Sequence, residues 1–133
     1  MAASLAGSST VVDLGCGSGL DSLIAARQVG AAGQVIGIDF SAAMLARANC
    51  SRAKLGLSNV QFVQASAENL PLQDASADHV LINGIFNLNP FRDLIFQDLA
   101  RVLKAGGTLF GAELILRSPL ESDARGRSEN WFS

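Results

Sequence analysis

Val11-Val12-Asp13-Leu14-Gly15-Cys16-Gly17-Ser18-Gly19 is an apolar run that passes straight into three alternating glycines, and a helix-forming segment follows at once. Glycine carries no Cβ, so the backbone can turn sharply there and a ligand can approach it closely. The helix that opens behind the loop presents unpaired N–H groups, which suit an anionic ligand. Asp39 ends the next apolar run. That is about the separation at which an acidic side chain accepts from ribose hydroxyls in a nucleotide-binding βαβ unit. A tight strand–helix turn without a ligand is the plainer reading of the glycines. Asp39 in register argues against it.

The dinucleotide fingerprint reads G-x-G-x-x-G. Here the spacing is Gly15-x-Gly17-x-Gly19, with Leu20 where the third glycine would stand. No Lys-Ser or Lys-Thr pair follows the loop, so it is not a P-loop. Asp13 adds an acidic residue inside the strand, two positions before the first glycine. The stretch Asp13–Gly19 resembles motif I of the class I S-adenosylmethionine-dependent methyltransferases. Further blocks follow in that family's order: Gly37-Ile38-Asp39-Phe40-Ser41, Ala67-Glu68-Asn69-Leu70-Pro71 and Leu103-Lys104-Ala105-Gly106-Gly107. The resemblance runs from about Thr10 to Leu116. It implies S-adenosylmethionine as cofactor, S-adenosylhomocysteine as product and a small-molecule acceptor. A nicotinamide-dependent oxidoreductase is the competing reading, and Leu20 and the Asp13 motif count against it.

The 133 residues suit one domain with a real hydrophobic core. Nearly half are apolar and 17% are charged, a globular and not a disordered composition. A net charge of −2 leaves no basic footprint for nucleic acid. Arg125 and Arg127 read as solvated tail charges. Cys16 and Cys50 are too few for a metal site or a disulfide framework, and read as buried thiols of a reducing compartment. The first nine residues lack the basic flank and apolar length of a signal peptide, and no run reaches membrane-spanning length. A cytoplasmic protein with no membrane partner is expected.

Residues 1–9 are small and polar, and are expected to fray. Strands are expected at Thr10–Leu14, Gln34–Asp39, Val60–Gln64, His79–Ile82 and Thr108–Leu116. Leu20–Val29 is the first helix, with Leu20, Leu23, Ile24 and Val29 offered to one face and Gly30 at its end. Ser41 caps a second helix that runs to about Leu55 and stops at Gly56. Glu68–Ser76 reads as a loop because Pro71 interrupts any helix. Asn89-Pro90 supplies an N-cap and a first-turn proline for a third helix bearing Phe91, Leu94, Ile95, Leu99, Val102 and Leu103. Gly106-Gly107 turns the chain into the last strand. Alternating strands and helices imply an α/β, Rossmann-like parallel sheet with helices on both faces and right-handed crossovers. The resemblance implies the strand order 3-2-1-4-5, without the last two strands of the full family fold. The site then lies at the carboxyl ends of the strands, at the switch between the first and fourth.

A sulfonium methyl group is already activated, so the enzyme needs mainly to hold a nucleophile in line with it. No dedicated base is assigned. The resemblance places Gly15, Cys16, Gly17 and Gly19 against the methionine end of the cofactor. Asp13 shapes that loop and meets the methionine ammonium directly or through water; a carboxylate that only stiffens the turn is the alternative. Asp39 holds the ribose diol, or caps the helix that starts near Ser41. Met44 lies where family members often place an apolar residue over the adenine, although it could equally be core packing, and Phe40, in the same block as Asp39, is a further cofactor-binding candidate. The resemblance places Ser66 and the Ala67 N–H at the adenine edge; Glu68 is a further candidate there, with solvent exposure or a cap on the local turn as its plainer reading. Relatives carry an acidic residue at the Ser66 position, and a hydroxyl accepts more weakly, so lowered cofactor affinity is expected. Asn83 is expected to end the fourth strand, with its backbone carbonyl toward the methionine ammonium; a strand-terminal turn residue is the alternative. His79, at the start of that strand, reads as a surface histidine.

Within the family the chain looks most like the arsenite methyltransferases and their small-molecule relatives. The cue is Leu81–Pro90 together with Glu68-Asn69-Leu70-Pro71. Arsenite enzymes bind their soft substrate through thiolates. One of their cysteines follows the asparagine after strand 4, where this chain has Gly84. Arsenite methylation is therefore not expected. Relatives also continue beyond the position of Ser133. The apolar last strand is expected to be an open edge, partly covered by Trp131 and Phe132, with residues 117–133 of no assigned structure. Such an edge invites a homodimer by strand pairing or tail exchange. A cofactor-binding domain that needs a partner chain to turn over is the alternative function.

Overall fold

The computed structural model describes residues 7–83 and 90–112. The elements run β1 (Thr10–Leu14), α1 (Leu20–Val29), β2 (Gln34–Asp39), α2 (Ala42–Leu55), β3 (Val60–Gln64), β4 (Ala77–Asn83), α3 (Arg92–Val102) and β5 (Leu103–Ala112). All neighbouring strands pair in parallel, in the order β3-β2-β1-β4-β5. This is the Rossmann-like sheet expected from the alternation of strands and helices. The expectations for residues 84–89 and 113–133, including Asn89, Trp131 and Phe132, lie outside the described residues.

Period-two alternation sends the strand side chains to two cores. Val12, Leu14, Ile36, Ile38, Val80 and Ile82 meet Ile95, Leu99 and Val102 of α3 on one face, and Leu70 of the segment after β3 joins them. Val11, Val35, Val60 and Leu81 meet Leu23, Ala25, Ala26 and Val29 of α1 on the other. Phe62 of β3 reaches across this second face. A Cβ on Gly37 would lie 2.6 Å from its ring, and one on Gly19 would lie 2.9 Å from it and 2.9 Å from Ala48 Cβ. Two glycines thus let α1, α2 and β3 close on one another.

Several local expectations are corrected. The inner face of α1 is small: Ser22, Ala25 and Ala26 are buried with Leu23 and Val29, whereas Leu20 and Ile24 point outward at 69% and 43% exposure. Close approach to the sheet selects the stripe of small residues over the larger apolar ones. α3 begins at Arg92 with Phe91 as its N-cap, so Pro90 lies in the preceding turn and outside the helix. Phe91 and Leu94 are half exposed, and Leu103 already opens β5.

β4 starts two residues earlier than expected, at Ala77. Asp78 explains this: it accepts from Thr10 N at 2.8 Å and from Lys104 Nζ at 3.1 Å, tying β1, β4 and β5 at their amino ends. These donors hold the Asp78 carboxyl below the usual range, Thr10 first. Pairing of β5 slips from Ala77↔Leu103 to His79↔Thr108. Residues 104–107 therefore bulge out, so the glycine turn exists but inside β5, and regular pairing resumes at Thr108 as expected. His79 is half buried beneath Phe110, with ring centroids 5.9 Å apart, and is not a surface side chain. Ser9, expected to fray, is buried, and its carbonyl accepts from Gln34 N at 3.0 Å. Cys50 is exposed on α2, not buried.

Candidate functional site

The carboxyl ends of the strands form one row. Leu14 is level with Ile38 of β2 and with Ile82 of β4, and Asp39 is level with Gln64 of β3. The chain leaves this row through the glycine loop. Gly15 N and Cys16 N both donate to Ile38 O, at 2.7 and 3.0 Å, which folds the loop over the end of β2. Gly15, Gly17 and Gly19 take φ values of 73°, 56° and 91°. Left-handed values at alternate positions are strained for any residue with a side chain, so the three-glycine spacing follows from the path of the backbone. Gly19 then serves as N-cap of α1 without any side-chain cap.

Asp39 closes the loop from the other side. Its Oδ2 accepts from Gly17 N at 2.8 Å and its Oδ1 from Ser41 N at 2.9 Å. Ser41 in turn caps α2, its Oγ accepting from Met44 N at 3.3 Å. The carboxylate thus organises the start of α2, as the capping reading expects, and also touches the glycine loop. Each carboxylate oxygen has more than one acceptor direction, so an additional donor can be accommodated.

Asp13 is 2% exposed. The Ser22 hydroxyl of α1 donates to its Oδ2 at 2.6 Å. Burial pushes the Asp13 carboxyl up to about 6, the Ser22 hydrogen bond opposes this, and the charges of Asp21 and Asp39 add to the rise. Asp13 therefore faces α1, where it locks the first helical turn onto the end of β1. The Cys16 thiol is half buried and is pushed up to about 12 by burial, then by the Asp13 and Asp39 charges. The shift favours the protonated thiol, whose Sγ leans toward Gly17 O at 3.8 Å.

Around this core stand the adenine candidates. Phe40 is 78% exposed, and its carbonyl is held by Gln64 Nε2 at 2.9 Å. Met44 is half buried, and a Cβ at Gly17 would meet its Cε at 3.5 Å. Its thioether thus borders the loop on the α2 side. Ser66 is exposed, and Ala67 and Glu68 are half buried, in the segment that leaves β3. Ala65 N donates to Asp39 O at 3.1 Å, which joins that segment to the end of β2. Asn83 is the last residue of β4, in register with Ala112 of β5. The structure therefore brings the end of β2, the glycine loop, Met44 and the Ser66 segment to one edge of the sheet. Among the described residues no group of three His, Cys, Asp or Glu side chains could hold a metal ion.

Two contributors escaped the sequence reading. Ser22 lies inside α1 and carries no signal of its own beyond its small size. Arg101, on α3, grips the segment after β3 from a distance of 29 to 31 positions in the chain.

A family described as a methyltransferase domain matches residues 6–131. An arsenite methyltransferase of Halobacterium salinarum is 36% identical over 123 residues, covering 92% of this chain and 32% of that protein. A demethylmenaquinone methyltransferase of Oceanobacillus iheyensis is 35% identical over 99 residues, covering 74% and 41%. Among solved structures, the arsenic(III) S-adenosylmethionine methyltransferase CrArsM of Chlamydomonas reinhardtii superposes with a TM-score of 0.79 at 34% identity. That match covers 92% of this chain and 44% of CrArsM. The chain thus spans roughly a third to two fifths of the length of these curated relatives.

Proposed function

Because this chain belongs to the S-adenosylmethionine-dependent methyltransferase family, we propose that its carboxyl-edge site binds S-adenosylmethionine and presents the methyl group to a small-molecule acceptor. The single observation that supports this most is the Asp39 carboxylate lying 2.8 Å from Gly17 N. An acidic group able to take a ribose diol stands directly against a glycine loop open to close backbone approach. The residues fit the cofactor's parts. Asp39 takes the ribose hydroxyls. Gly15, Cys16, Gly17 and Gly19 line the methionine end with backbone. Phe40 and Met44 flank the adenine ring, and Ser66, Ala67 and Glu68 border its edge. The Asn83 carbonyl faces the ammonium.

When bound, S-adenosylmethionine supplies a methyl group already activated on a sulfonium. The protein's own contribution is position and dryness. Asp13 holds the loop through Ser22 and adds negative charge beneath the ammonium end once ionised. Asp39 fixes the ribose, and with it the direction in which the methyl group points. No side chain at this edge is assigned as a base. The acceptor is left as a small molecule: the relatives named for arsenite and for demethylmenaquinone differ too widely to carry one over.

Calorimetric titration with S-adenosylmethionine, S-adenosylhomocysteine and NAD tests the reading. Saturable binding of the first two is expected, without binding of NAD. A folded sample that binds neither sulfur ligand would overturn it. If binding occurs but no acceptor is methylated, the alternative stands: a cofactor-binding domain whose turnover needs another chain or segment.

A further inference from the structure

Among the described residues, the segment that borders the proposed adenine site carries one backbone–backbone hydrogen bond within residues 66–70, Asn69 N to Ser66 O at 3.4 Å. α3 ties the segment at Leu70. Arg101 donates from Nη2 to Leu70 O at 3.0 Å, and from Nη1 to Leu72 O at 2.7 Å and to Asp74 Oδ1 at 2.9 Å. The same guanidinium grips Asp98 through Nε at 2.7 Å and Nη2 at 3.2 Å. Asp98 then accepts from Leu70 N at 2.5 Å. Leu70 is therefore held at both its N–H and its C=O by one ion pair, while its side chain is buried in the α3-facing core. The grip continues beyond the loop, where Ala75 N donates to Arg101 O and Ser76 N to Val102 O, each at 2.8 Å.

We propose that Arg101, with Asp98, is a positioning residue for the purine end of the ligand: the pair fixes Leu70 and so sets where Ser66, Ala67 and Glu68 stand against the adenine edge. This rests on the S-adenosylmethionine reading given above. A planar fork that bonds two carbonyls and two carboxylates at once is a task for arginine and not for lysine, whose compact ammonium cannot span these four groups. Arg101 itself touches no ligand atom. Its effect on binding is the difference between a purine-reading segment that is already in place and one that must be ordered on binding.

The test compares S-adenosylhomocysteine with its inosine analogue, in which the purine amino group is replaced by a carbonyl. Both are titrated against wild type, Arg101→Lys and Asp98→Asn, with urea melts on the same samples. Wild type is expected to prefer the adenine ligand. In both variants that preference should fall by roughly five- to tenfold, the scale of one hydrogen bond, while affinity for the inosine analogue changes little. A purely structural role would weaken both ligands by the same factor, and that outcome overturns the proposal, as does a wild type with no preference. Should one variant fail to fold, the other carries the comparison. Wild type that binds neither ligand would instead overturn the S-adenosylmethionine reading itself.

Discussion

The Asp13 carboxyl sits at the end of β1 with almost no surface exposed, and burial pushes it up to about 6 from an ordinary value of 3.8. The native state therefore holds this proton at pH values where the unfolded chain has released it. Between those two values the native state binds more protons than the unfolded state, so stability falls as pH rises through the window. The fall is bounded at about 3 kcal/mol by a shift of about two units at 1.36 kcal/mol each. Asn at this position keeps an oxygen for the Ser22 hydroxyl and removes the charge. The stability of Asp13→Asn relative to wild type should thus rise by about 1–3 kcal/mol between about pH 4 and about pH 7.5, read from urea melts at both ends. A difference that stays flat with pH would mean that Asp13 does not titrate in this window. Asp13 as part of a glycine loop was legible in the sequence, since a carboxylate two positions before the first glycine is itself a pattern. Its partner was not: Ser22 becomes special only when α1 lies down on the sheet.

At the scale of elements, the helix ends divide into those written locally and those supplied from elsewhere. Ser41 and Gly56 bracket α2 as the sequence predicts, because a capping hydroxyl and a left-handed stop act within a few residues of the helix they end. α1 ends differently. Gly30 carries the chain away, but the carbonyls of Ala26 and Gly30 are both taken by Asn59 Nδ2, at 2.8 Å each. Asn59 stands just ahead of β3, about thirty positions further along the chain, and no local pattern announces it. Ala26 O also accepts from Gly30 N at 3.2 Å and Gly30 O from Gly33 N at 3.1 Å, so Asn59→Ala should remove only the second bond of each carbonyl and cost about 0.5–1.5 kcal/mol, with faster amide exchange in the last turn of α1. Unchanged exchange there would show that water replaces the amide without loss. The same division explains the errors in the amphipathic faces. Leu20 and Ile24 have helical spacing, yet α1 buries Ser22 and Ala25, because the distance between helix and sheet is set by Gly19 and Gly37 packing against Phe62. β5 was misplaced at its start for a related reason. Its glycine turn is a bulge inside the strand, created where Asp78 binds Lys104, a contact between residues 26 apart.

At the scale of the molecule, the parallel sheet was legible from the alternation of elements, its order from the family resemblance, and the edge of the candidate site from the loop chemistry at the ends of β1 and β2. At the candidate edge, the loops that leave the paired strands are also joined to one another. Gly15 and Cys16 bond to Ile38, Gly17 bonds to Asp39, and Ala65 bonds to Asp39. A ligand that touches the loop, the end of β2 and the Ser66 segment together ties three chain segments into one unit that the unfolded chain cannot offer. Binding of that kind must raise stability by RT ln(1 + [L]/Kd), about 2.7 kcal/mol at a hundredfold excess over Kd. For a domain of this size, that corresponds to a rise of roughly 10 °C in Tm. S-adenosylhomocysteine should produce such a shift in the wild type. Asp39→Ala should lose most of it at the same ligand concentration, after its lower unliganded Tm, a consequence of releasing Gly17 N and Ser41 N, has been subtracted. The subtraction matters, because Asp39 serves both the fold and the ligand. If the variant keeps the full ligand-induced rise, Asp39 is a helix-start and loop anchor alone, and the ribose must be held by another group at this edge.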